Sequence, residues 1–75
     1  MDKYNGYSNW ETWSVNLWLN NDEGFHNATK GMQAVQLSDW VFTQFKATGT
    51  FGDIDKITEL EKVNFDEIVE ANSHD

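Results

Sequence analysis

Four carboxylates in the last third of the chain, Asp55, Glu59, Asp66 and Glu70, are the residues best suited to chemistry at a distance. The segment from Asp53 to Asp75 holds eight acidic residues and two lysines, so it contributes −6 of a formal net charge of −8. On helices running roughly end to end, these four would line one side as a row of anions. Such a row can engage a basic groove as nucleic-acid phosphates do, with charge speeding encounter and supplying selectivity. The same residues also suit a solvated helix face opposite Ile54, Ile57, Leu60, Ile68 and Val69. Trp18 and Trp40 are the candidate apolar anchors beside them, because Trp is enriched at interface hot spots. Aromatics at helical spacing equally suit a core, and the spacing alone leaves both readings open.

Little else in the sequence could carry a reaction. His26 and His74 are the two histidines, with no metal-ligand spacing between them and no Ser/His/Asp elbow. Gly49-Thr50-Phe51-Gly52 lacks the lysine of a phosphate loop, and Gly52-Asp53-Ile54-Asp55 is too short for a calcium loop. With no cysteine there is no thiolate site. The expectation is a protein that is not an enzyme and uses no cofactor or metal.

Charge bounds the partners. Thirteen acidic residues against five lysines give a pI near 4.4. Nucleic acids and anionic membranes both select clustered Lys and Arg. Direct binding to either is therefore not expected. Lys3, Lys30, Lys46, Lys56 and Lys62 are scattered along the chain. The first residues lack a basic start followed by an apolar core, which leads to an expected cytoplasmic location.

The elements that position these groups read as helices throughout. Residues 1–7 form an arm with a turn at Asn5-Gly6. Ser8 and Glu11 have the spacing of a capping box. A first helix follows from about Asn9 to Asn20, carrying Trp10, Trp13 and Leu17 on one face with Val15, Trp18 and Leu19 beside them. The three indoles are expected to knit the core. Phe25, Ala28, Met32 and Val35 suit a second helix, Ser38 a new cap, and Leu37 the junction of two helices, although one bent helix over residues 23–47 satisfies the same pattern. Asp53 reads as the cap of a third segment. Asn64-Phe65-Asp66-Glu67 repeats the capping box, with Val63 and Ile68 as a hydrophobic staple. The last helix ends near Asn72, with residues 73–75 frayed. The fold class is all-α, a compact single domain over residues 1–75 built as a bundle of three to four short helices.

The stretch Asn5-Gly6-Tyr7…Glu11-Thr12-Trp13…Leu17-Trp18-Leu19, together with Val63-Asn64-Phe65-Asp66-Glu67-Ile68-Val69-Glu70, resembles a family of small uncharacterised proteins of bacteriophages, plasmids and other mobile elements. That resemblance implies a mobile-element origin and no mechanism. Joined to the charge pattern, it leads to an expectation of a small acidic protein that binds and inhibits a host protein with a basic surface, of the nucleic-acid-processing class. The alternative is a structural or accessory module that self-assembles, as a homodimer, through an exposed tryptophan face.

Overall fold

Asn9 starts the first helix. Its side-chain Oδ1 accepts from the Thr12 N–H (2.9 Å), so the cap lies one residue beyond Ser8. Ser8 donates its own backbone N–H to Glu67 Oε1 (3.0 Å), a partner 59 residues away. The Ser8–Glu11 box is thereby replaced by an Asn9–Thr12 cap and a tertiary bond.

The computed structural model describes residues 4–72; the start of the expected arm, the frayed tail and His74 lie outside the described residues. Five helices follow in order: α1 Trp10–Asn21, α2 Glu23–Thr29, α3 Ala34–Thr48, α4 Ile57–Leu60 and α5 Phe65–Ala71. The described residues contain no strand, with isolated antiparallel bridges at Tyr4–Tyr7 and Phe51–Ile54. The fold is all-α. α1 packs against α2 and α5, and α3 packs against α5.

The middle of the chain is two helices, and their junction falls earlier than Leu37. Lys30 leaves the helical region (ψ 127°), Met32 donates its N–H to the Thr29 carbonyl, and Gly31 sits at φ +83° between them. Gln33 then caps α3, its N–H donating to Gln36 Oε1 (3.0 Å). Ser38 lies inside α3 and caps nothing. The break turns α3 relative to α2, so Ala28 and Val35 are exposed and the expected Phe25–Val35 stripe does not form. Asp53 is likewise no cap: Phe51-Gly52-Asp53-Ile54 closes a tight turn through reciprocal backbone bonds of 2.8 and 3.0 Å, and α4 starts after Lys56.

The core gathers Val15, Leu19, Leu37, Val41, Phe51, Ile54, Leu60, Val63, Phe65 and Ile68. No tryptophan belongs to it. The buried stripe of α1 is Thr12, Val15, Asn16 and Leu19, spaced i, i+3, i+4, i+7. Trp10 and Trp13 are half-buried along its flank, Trp13 meets Tyr4 edge-to-face at 4.9 Å, and Trp18 is 37% exposed. The indoles thus roof the core, because a smaller stripe lets α1 and α5 approach closely.

Two polar residues inside that stripe are fully bonded. Thr12, wholly buried, donates its hydroxyl to Asn9 Oδ1 (2.6 Å) and accepts the Asn64 N–H (2.9 Å). Asn16 donates to the Tyr7 hydroxyl (2.8 Å) and accepts from Asn72 Nδ2 (2.9 Å) and Asn20 Nδ2 (3.2 Å). No buried side-chain polar atom among the described residues lacks a partner, which is the condition for polar groups to sit in a core without penalty.

Candidate partner-binding surface

α5 is held at its start by bonds from α1 and the residues that lead into it. Asn64 Oδ1 accepts the Glu67 N–H (3.1 Å), as the expected cap requires, and Val63 and Ile68 are both buried as the staple predicts. Glu67 turns its carboxylate toward Ser8 instead of back to its own cap. Asn9 Nδ2 donates to the Lys62 carbonyl (2.9 Å), and Thr12 holds the Asn64 N–H. Three contacts from the first turn of α1 and the two residues before it therefore fix where the first turn of α5 lies, and with it Asp66.

Between that turn and the first turns of α3 lies an open groove of about 630 Å3. Val63 and Phe65, each 9% exposed, belong to its floor, while Asp39 and Asp66 are exposed on its lips. Val35, one turn before Asp39 on α3, stands 82% exposed beside them. Lys62 also lines the groove, so its two carboxylates and one ammonium leave a local charge of −1. None of Asp39, Lys62 and Asp66 is held in an ion pair among the described residues. An apolar floor between unpaired carboxylates can accept a segment that offers both a cation and an apolar side chain.

The sequence-derived candidates are distributed more widely. Asp66 and Glu70, four apart on α5, share a helix face. Asp55 is exposed in the turn before α4, and Glu59 on α4 is half-buried. Trp40 packs edge-to-face on Phe25 (5.3 Å) and Phe51 (6.3 Å), joining an internal aromatic cluster. Trp18 lies on the Gly52 backbone. Asp39 was not singled out from the sequence. Its one signal is its spacing from Val35 along α3, which becomes visible once α3 is known to begin at Ala34.

Among the described residues no group of three His, Asp or Glu side chains could hold a metal ion, and no helix is long and apolar enough to cross a membrane. A model of a family of unknown function, DUF7249, matches residues 1–73. The chain belongs to that family. The match spans both DUF7249 segments that carried the resemblance, the Glu-Thr-Trp helix and the Val-Asn-Phe helix. No curated protein and no solved structure matches this DUF7249 chain.

Proposed function

We propose that this protein is a stoichiometric, non-catalytic binder carried by a phage or related mobile element, which inhibits a host protein in the cytoplasm by occupying a basic surface. Nucleic-acid-processing machinery is the natural target class, because its working groove is already basic. The observation that carries the reading is the groove between α3 and α5, with Asp39 and Asp66, unpaired among the described residues, beside the exposed Val35 in a chain of net charge −8. Charge at such a rim raises association rate and fixes register, while an apolar contact slows release.

The test is capture of a bacterial host partner by the immobilised chain at low and high salt, compared with variants at the lips. Raising ionic strength from roughly 0.05 to 0.5 M shortens the screening length about threefold and should release the partner. Asp39→Lys with Asp66→Lys should weaken capture at least about tenfold, whereas Lys62→Glu should strengthen it. Capture that ignores both salt and these reversals refutes the reading.

A second reading has its own observation: Leu17, Trp18 and Ile57 are 37–38% exposed. If they form a self-association face, sedimentation equilibrium will give a dimer that Leu17→Lys dissociates. A monomer throughout the micromolar range eliminates it.

A further inference from the structure

A second cleft, of about 470 Å3, opens on a different side of α3, between the α2–α3 link and the C-terminal half of α5. Leu19, Leu37 and Ile68 line it, each at most 4% exposed, together with half-buried Met32 and Val69. Its volume falls in the range of small-molecule sites, and an apolar lining with a few polar groups is their usual make-up.

The charge of this cleft is opposite to that of the chain. None of the carboxylates among the described residues lines it, and its ionisable groups among those residues are His26 and Lys30. Neither side chain is engaged in a hydrogen bond or ion pair among the described residues. The asparagine amides at the rim are already occupied: Asn20 Nδ2 donates to Asn16 and Asn72, and Asn72 Nδ2 donates to Asn16 and to the Ile68 carbonyl. Three carbonyls near the ends of α2 and α5, a position that would repel an anion, are likewise bonded. Phe25 accepts the Thr29 hydroxyl, Thr29 accepts the Met32 N–H, and Ile68 accepts from Asn72. The cation at the mouth is thus the Lys30 ammonium, with the His26 imidazole and the Gln33 side-chain amide as further donors.

We propose that this cleft binds a small free organic anion with an apolar tail, of the medium-chain carboxylate class, with its tail against Leu19, Leu37 and Ile68 and its carboxylate at Lys30 and His26. This site is independent of the acidic groove and of any protein partner. It also runs against the general field of the molecule, which favours cations. A preference for the anion therefore has to originate locally.

Methyl NMR on the intact chain, titrated with octanoate and separately with octylammonium, tests it. Octanoate should shift the methyls of Leu19, Leu37, Ile68 and Val69 to saturation and bind about tenfold tighter than octylammonium. Lys30→Glu, a change at an exposed side chain, should weaken octanoate about tenfold and reverse the preference, and His26→Gln should weaken it less. Octylammonium binding as tightly as octanoate overturns the proposal. So do shifts confined to other methyls, or failure of octanoate to saturate by about 10 mM.

Discussion

Gly52→Ala is expected to lower the unfolding free energy by about 3 kcal/mol, from the sum of two effects. Gly52 adopts φ +62°, where a Cβ costs roughly 1–2 kcal/mol. A methyl group built there would also stand 2.6 Å from Trp18 Cγ, with Cδ1 nearer still. Forcing the indole off the turn adds about 1–3 kcal/mol, as overpacking does elsewhere. A 75-residue domain holds roughly 4–11 kcal/mol in total, so the loss is a large share. Gly49 provides the control, because it has φ +85° with nothing within 4 Å of an added Cβ. Gly49→Ala should therefore show the backbone effect alone, about 1–2 kcal/mol. In a Trp18→Ala background the Gly52→Ala loss should shrink by about 2 kcal/mol, a coupling readable from urea unfolding as a double-mutant cycle. Equal losses at the two glycines would mean that Trp18 does not rest on the turn.

That contact bears on function, because Trp18 is a candidate anchor for a partner and already has an internal job. Its one face closes the Phe51–Ile54 turn, whose flanking residues are among the most buried in the core (2% and 0% exposed). A partner engaging Trp18 would have to use its outer face without lifting it. The exposed lips of the α3–α5 groove carry no such obligation, which is why the proposed function rests on Asp39, Asp66 and Val35.

How far the sequence could be read depended on whether a residue's partner was local. The Asn64 cap and the Val63–Ile68 staple are contacts within five residues, and both were legible. Ser8 and Glu11 also had the right spacing, yet Glu67 takes the Ser8 N–H across 59 residues, and no local rule shows that competitor. The tryptophans misled for a related reason. A large ring has the greatest apolar area, but it rarely fits wholly inside a small domain. Here the interior stripe uses Thr12 and Asn16, which look like surface residues until Asn64, Asn72 and Tyr7 arrive to bond them. In the middle segment, Gly31 falls inside the expected Phe25–Val35 stripe, and its positive φ makes it the break. Because that break resets the register of α3, Asp39 and the acidic groove were out of reach from spacing alone. The charge was legible throughout; its placement beside an apolar floor was not.

Thr12→Val is expected to cost about 2 kcal/mol although it conserves shape and adds an apolar methyl. The hydroxyl it removes is the acceptor for the Asn64 N–H, and Thr12 is fully buried. Asn9 Oδ1 keeps the Thr12 N–H at 2.9 Å, so that acceptor is not stranded. The Asn64 N–H has no such replacement, and an unpaired donor in a part-buried place costs roughly 1–3 kcal/mol, more than the new methyl returns. Thr12→Ser keeps the hydroxyl and loses one buried methyl, an effect of about 1 kcal/mol. The order of stability should therefore be Thr, then Ser, then Val. Hydrogen exchange should locate the damage in α5, with amides from Asn64 through Ile68 exchanging faster while those of α3 change little. Because the same bond fixes the first turn of α5, Asp66 should lose its place at the groove, and partner capture should weaken in Thr12→Val more than in Thr12→Ser. A valine variant as stable as the serine one would show that the hydroxyl does not join the two helices. Positioning of Asp66 would then have to come from Asn9 and Ser8 alone.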